Sequence, residues 1–96
     1  MPYLIAEVGS NFDGELELAC EYIRRISEAG FDCAKFQVFG PKSFVGLDQA
    51  SRDATIKLGL PQGWIPLVKS ECERHKVDFL ASPFDVASAG WLCEAG

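Results

Sequence analysis

Apolar residues recur along the chain with two different periods. Three short apolar runs, Leu4–Val8, Ala34–Val38 and Phe79–Ala81, predict strands, and each is followed by a helix-like pattern. After the first run, Leu16, Ala19, Cys20, Ile23 and Ile26 repeat at three- and four-residue spacing and form one stripe, predicting a helix from about Gly14 to Ala29. Asp13 offers its N-cap, Glu15 and Glu17 fall in the first turn, Arg24 and Arg25 lie in the second half, and Gly30 supplies a left-handed exit. The stretch from Phe31 to Phe39 is extended and closed by Gly40-Pro41, which a helix would not survive. A long connection between Gly40 and Gly63 has a weakly helical centre near Gln49–Leu58. It exceeds the roughly two to six residues usual for such a loop, and a substrate cover and a surface insertion explain it equally well.

Pro66 suits the first turn of the next helix, whose apolar positions are Trp64 or Ile65, Leu67, Val68 and Cys72 and which ends near His75-Lys76. The third strand, Val77–Ala81, runs into Ser82-Pro83-Phe84-Asp85. Pro83 is expected to interrupt it and Asp85 to cap a last helix through Ala95, which Gly90 weakens by about 1 kcal/mol relative to alanine.

Strands alternating with crossover helices must run parallel, so the fold class is α/β with about three parallel βα units. The layout resembles an open arc of a TIM (β/α)8 barrel, although a doubly wound sheet obeys the same rule. Such barrels carry their chemistry at the C-terminal ends of the strands, which singles out Glu7, Lys35, Gln37 and Ser82. A closed barrel needs about 250 residues, and this chain has 96. Glu94-Ala95-Gly96 repeats the Glu28-Ala29-Gly30 that precedes the second strand. Residues 1–96 are therefore expected to be one unit, the N-terminal part of a longer barrel. An arc buries less apolar surface than a closed barrel, so independent stability is not assured.

The net charge of −5 and the absence of a basic run argue against general binding of nucleic acid or anionic membranes. No apolar stretch reaches the roughly 20 residues that span a bilayer, and the first residues lack the order of a signal peptide, so a cytoplasmic location is expected. Cys20, Cys33, Cys72 and Cys93 show no Cys-x-x-Cys spacing, which suggests neither a zinc site nor a redox pair. Cys20, Cys72 and Cys93 are placed on apolar helix faces and Cys33 at a strand entrance, as reduced, buried thiols; a disulfide framework is the minority alternative.

Lys35 and Gln37 stand two apart on one strand and share a side, while Phe36 and Val38 share the other. Glu7 holds the equivalent place on the first strand, so a buried Glu7–Lys35 ion pair is expected. Buried pairs add little stability, which favours a functional site over a structural one.

Ile5-Ala6-Glu7-Val8-Gly9-Ser10-Asn11, Ala34-Lys35-Phe36-Gln37 and Leu80-Ala81-Ser82-Pro83-Phe84-Asp85, in this order and spacing, resemble the N-acetylneuraminate (sialic acid) synthase family. The resemblance implies condensation of phosphoenolpyruvate with an N-acetylated amino sugar such as N-acetylmannosamine to give a sialic-type acid and phosphate. It implies a divalent metal, Mn or Mg, and a homodimer in the full-length protein, with a C-terminal antifreeze-like domain serving the neighbouring subunit. Lys35 would clamp phosphoenolpyruvate, Gln37 would orient the sugar, and Ser82 would bind phosphoenolpyruvate beside helix-terminal N–H groups. Glu7 and Gln37 are the candidate catalytic side chains; Lys35, Gln37 and Ser82 are the candidate substrate ligands.

The family's Asn-His-Asn-Gly reads Asn11-Phe12-Asp13-Gly14 here, leaving the sugar open and making capping the stronger reading for Asn11 and Asp13. The metal-binding histidines of the family lie farther along the barrel. The sole histidine, His75, is expected at a helix end as a solvated dipole partner, and the isolated chain is expected to be inactive. A self-associating or partner-docking half-barrel module and another aldolase-like barrel enzyme are the alternatives.

Overall fold

Residues 2–44 and 46–96 are described by a computed structural model. Three strands, β1 (Ile5–Gly9), β2 (Cys33–Val38) and β3 (Asp78–Pro83), form one parallel sheet in the order β1-β2-β3. Helix α1 (Leu16–Glu28) links β1 to β2. Between β2 and β3 lie α2 (Gln49–Ile56), a 3₁₀ turn (Gln62–Trp64) and α3 (Ile65–Arg74), and α4 (Val86–Ala95) follows β3. This is the expected α/β arrangement of three βα units.

The core lies on one face of the sheet. Ala34, Phe36 and Val38 of β2 are completely buried there against Ala19 and Ile23 of α1 and Val68 and Cys72 of α3. Phe36 sits at its centre, with its ring 6.0 Å from Phe12 and 5.9 Å from Phe79. The buried stripe of α1, Ala19, Ile23 and Ile26, is the one the spacing predicts.

Helices α1 and α3 end alike. Phe31 N–H bonds to Ile26 C=O and Gly30 N–H to Ser27 C=O, while Val77 N–H bonds to Cys72 C=O and Lys76 N–H to Glu73 C=O. Each is a Schellman exit with its penultimate residue in the left-handed region, Gly30 at φ 87° and Lys76 at φ 59°. The repeated Glu-Ala-Gly has a structural basis as well, since Gly96 takes φ 88°.

Several expectations are corrected. Helix α1 starts at Leu16, and its N-cap is Glu15 rather than Asp13. The fully buried Phe12 draws 10–15 into successive tight turns, with Asp13 N–H bonded to Ser10 C=O and Glu15 N–H to Phe12 C=O, and Asp13 adopts φ 53°. Pro83 does not interrupt β3 but ends it, paired with Val38 in a strand whose other edge carries no partner among the described residues. Leu67 is exposed on α3.

Cys33 and Cys72 are buried and Cys20 is half-buried, but Cys93 is exposed. The inward positions of α4 are 88, 91, 92 and 95, a stripe that position 93 misses. The weakly helical centre of the long connection becomes α2, capped by Asp48, which accepts from Ser51 N–H at 2.8 Å, and no side chain of this helix is buried. The connection returns to the sheet at the buried Leu60, whose N–H bonds to Gln37 C=O at 2.8 Å. No helix of the described residues is long and apolar enough to cross a membrane.

Candidate functional site

The sheet face opposite the helices carries the polar residues. Glu7 pairs with Lys35, and Lys35 with Leu80; Gln37 pairs with Ser82. Side chains at paired positions of a parallel sheet share a face, and those two apart on a strand do so as well. Glu7, Lys35, Gln37 and Ser82 therefore occupy one face, towards the C-terminal ends of three adjacent strands. Phe36 and Val38 occupy the other, under the helices.

Lys35 Nζ lies 3.6 Å from Glu7 Oε2. The expected pair forms, but it is not buried: the Lys35 side chain is 33 % exposed and that of Glu7 51 %. Water reaches both groups, so the pair contributes little to stability. Just past Glu7 the register slips, and Gly9, at φ 58°, pairs with Phe36. Such a bulge re-aims neighbouring side chains. A β-carbon on Gly9 would lie 3.7 Å from Glu7 Oε1 and 3.8 Å from Gln37 Nε2, so the carboxylate and the amide converge over this glycine.

The rim above is built by the two segments leaving β2 and β3. Phe84 N–H extends the ladder by bonding to Val38 C=O at 3.1 Å. Phe39, Phe44 and Phe84 cluster there, with ring centroids 4.9 Å apart for Phe39–Phe44 and 4.7 Å for Phe39–Phe84. Asp85 caps α4 as expected, in a capping box with Ser88. Its carboxyl is held below the usual carboxylate range by the Ser88 hydroxyl first and then by backbone N–H groups of Ser88 and Lys42.

Asp85 Oδ2 also accepts from Lys42 N–H at 2.8 Å, a link 43 residues long in sequence. No local spacing signals that bond. Its trace in the sequence is the glycine at position 40, which also ends the strand. The opposite end of the face holds a second unforeseen link, Tyr3 Oη–H to Asp78 Oδ2, which raises the Tyr3 phenol well above its ordinary value.

His75 lies at the α3 C-cap, 4.0 Å from Glu71 Oε1 and half-buried rather than fully solvated. It sits where α3 leads into the start of β3, away from the Lys35–Ser82 rim. Asn11 and Asp13 are exposed. Among the described residues no three His, Cys, Asp or Glu side chains come together as a metal site. Surface hollows flank the cluster, one lined by Gln62, Ile65, Pro66 and Trp91, a second by Tyr3, Cys33, Lys69 and Asp78, and a third at the rim by Pro41, Lys42, Asp85 and Val86. The first is lined mainly by apolar groups, in the second the Tyr3 hydroxyl and the Asp78 carboxylate are bonded to each other, and in the third Asp85 is held by Lys42 and Ser88. The polar cluster on the sheet is the better candidate, and in this chain it is an open surface.

The family model described as NeuB family matches residues 22–96. The spore coat polysaccharide biosynthesis protein SpsE of Bacillus subtilis is 33 % identical over 101 aligned residues, covering 94 % of this chain and 27 % of SpsE. Human N-acetylneuraminate-9-phosphate synthase is 51 % identical over 35 residues, 36 % of this chain and 10 % of that protein. The crystal structure of an N-acetylneuraminic acid synthetase from Leptospira borgpetersenii, in complex with citrate, superposes with a TM-score of 0.87 at 28 % identity. It covers 98 % of this chain and 33 % of that one.

The chain thus spans 27 % of SpsE and 33 % of the Leptospira protein. In sequence the family model matches the chain from within α1 onward, through β2, β3 and the helices between and after them, and in space a solved relative matches nearly the whole chain. By both measures, this chain belongs to the NeuB family.

Proposed function

We propose that residues 1–96 supply the first βα units of a (β/α)8 barrel that condenses phosphoenolpyruvate with an N-acetylated amino sugar to a sialic-type acid. The observation that carries this reading is the common face and common strand end of Lys35, Gln37 and Ser82, with Glu7 beside Lys35. Relatives that bear the names N-acetylneuraminate-9-phosphate synthase and N,N'-diacetyllegionaminic acid synthase support it.

The Lys35 ammonium is a compact charge that attracts the carboxylate or phosphate of phosphoenolpyruvate, and its incomplete burial lets it exchange water for such an anion. Ser82 adds a hydroxyl donor one strand away. Gln37, between them, offers both an acceptor and donors with which to orient a sugar carbonyl or hydroxyl. Glu7 holds the ammonium from the side opposite Ser82, and with Gln37 forms the candidate catalytic pair.

A divalent metal would polarise the sugar aldehyde in such a reaction. The described residues do not fit one: no three metal-ligating side chains converge, and Asp85, at the rim, is engaged by N–H and O–H donors. No step is assigned to a metal through this chain.

The test is acylation of Lys35 with an amine reagent, read by peptide mass spectrometry. Phosphoenolpyruvate should slow modification of Lys35 but not of the remote Lys57 or Lys76. Equal rates with and without phosphoenolpyruvate would overturn the assignment.

A second reading is favoured by the exposure of Ile5 (46 %) and Leu80 (44 %), which share the open sheet face. A module that self-associates through that face would cover both. Solution mass separates the readings: a discrete, folded oligomer supports the module, and a monomer refutes it.

A further inference from the structure

We propose that Asp85 is a positioning residue that locks the segment after β2 onto the turn after β3, and that position 40 is glycine because the lock fills the space of a side chain. This rests on the reading of these strand ends as a substrate rim.

The Asp85 carboxylate joins two pieces of backbone. Oδ1 accepts from Ser88 N–H at 2.8 Å and from the Ser88 hydroxyl at 2.7 Å, which caps α4. Oδ2 accepts from Lys42 N–H at 2.8 Å, which belongs to the other loop. A β-carbon on Gly40 would meet Asp85 Oδ1 at 2.1 Å and Oδ2 at 2.3 Å, so the carboxylate occupies that volume. The far side of the same turn is tied by Gly40 N–H to the buried Ser43 hydroxyl at 3.0 Å.

A helix cap needs only Ser88. The bond from Lys42 N–H to Oδ2 is what the lock adds to the cap, and a side chain at position 40 would displace both carboxylate oxygens. Fixing 40–43 against 84–85 fixes the path of the chain just beyond Gln37 and Ser82, and with it the separation of their side chains. It also places Phe44 and Phe84 in the aromatic cluster at the rim. Asp85 touches neither Gln37 nor Ser82 in this scheme; it sets their spacing through the backbone.

The experiment is a double-mutant cycle on the whole chain, read by the rate of native tryptic cleavage after Lys42. Gly40→Ala overpacks against the carboxylate and should speed cleavage about tenfold, as should Asp85→Ala, which removes a charge-assisted hydrogen bond. The double variant should be cleaved no faster than Asp85→Ala alone, because the methyl then enters emptied space. Additive effects would overturn the lock.

Asp85→Ser separates cap from lock, since serine caps helices about as well as aspartate but is too short to reach Lys42. It should keep the helical circular dichroism and thermal midpoint while releasing Lys42 and raising the phosphoenolpyruvate concentration that half-protects Lys35 several-fold. An unchanged half-protecting concentration with Lys42 released would refute the positioning role. Failure of phosphoenolpyruvate to protect Lys35 in the unsubstituted chain would instead refute the substrate-rim reading, and the cleavage cycle would still judge the lock.

Discussion

Neutralising the Glu7–Lys35 pair should leave the fold almost untouched while abolishing anion capture. At 3.6 Å the bare attraction is about 1 kcal/mol in the dielectric of water and about 4.6 kcal/mol at an effective constant near 20. Half of the Glu7 side chain and a third of the Lys35 side chain face solvent, which places the pair near the watery limit. The cost of holding two long side chains then leaves about 0.2–1 kcal/mol net.

For a domain of this size 1 kcal/mol moves the thermal midpoint by roughly 4–8 °C. Glu7→Gln and Lys35→Gln should therefore each lower it by less than about 8 °C, and the coupling energy from their double-mutant cycle should stay below about 1 kcal/mol. That coupling should fade as sodium chloride rises past about 0.1 M, where the screening length is near 10 Å. In parallel, an equilibrium-binding titration should show phosphoenolpyruvate affinity lost in Lys35→Gln. A coupling above about 2 kcal/mol that survives high salt would mean the pair is a structural element of a desolvated core. The functional assignment of Lys35 would then lose its physical basis.

Phe36→Ala should cost about 3–5 kcal/mol, against a total of about 5–14 kcal/mol expected for 96 residues; a urea titration that shows a loss under 1 kcal/mol would mean that Phe36 is not the centre of the core. Lys76→Gly should stabilise by about 0.5–1 kcal/mol, because glycine takes the left-handed exit of α3 without the clash a lysine β-carbon suffers; a lowered thermal midpoint would refute this. The carboxyls of Glu21, Asp48, Glu71 and Asp85 are all held below their ordinary values, each chiefly by hydrogen bonds from Arg24, Ser51, Arg74 and Ser88 respectively. Their contribution is present above the unfolded carboxylate range near pH 4 and is lost as pH falls through the lower folded values. The urea midpoint should drop between pH 5 and pH 2.5, and a flat profile would contradict it. Native alkylation followed by mass spectrometry should label Cys93 first; Cys72, whose thiol burial pushes up to about 12, should react only on unfolding. Early labelling of Cys72 would show that α3 does not cover it.

The strands, the stripe of α1, the cap at Asp85 and the shared face of Lys35 and Gln37 were legible in the sequence because each depends on residues close together in the chain. Period and capping chemistry act over a few positions. The start of α1 was not legible, since the burial of Phe12 against Phe36, a contact between distant residues, overrides the local preference of Asp13 for a cap. The state of the Glu7–Lys35 pair was half legible: pairing of the strands predicts the proximity, but exposure depends on what covers the face. The bond from Lys42 to Asp85 had no local trace beyond a glycine, whose requirement comes from a carboxylate 45 positions away.

The sheet divides its labour by parity. In β2, Ala34, Phe36 and Val38 hold the molecule together, and Lys35 and Gln37, interleaved with them, are available for chemistry. Lys35, Gln37 and Ser82, on the open face, can therefore be exchanged without disturbing the packing beneath. The same arrangement makes the strand intolerant of length change, because a one-residue insertion before Lys35 would turn the ammonium into the apolar layer and Phe36 out to water. Substitution is open to this strand as a route of change, and insertion is closed.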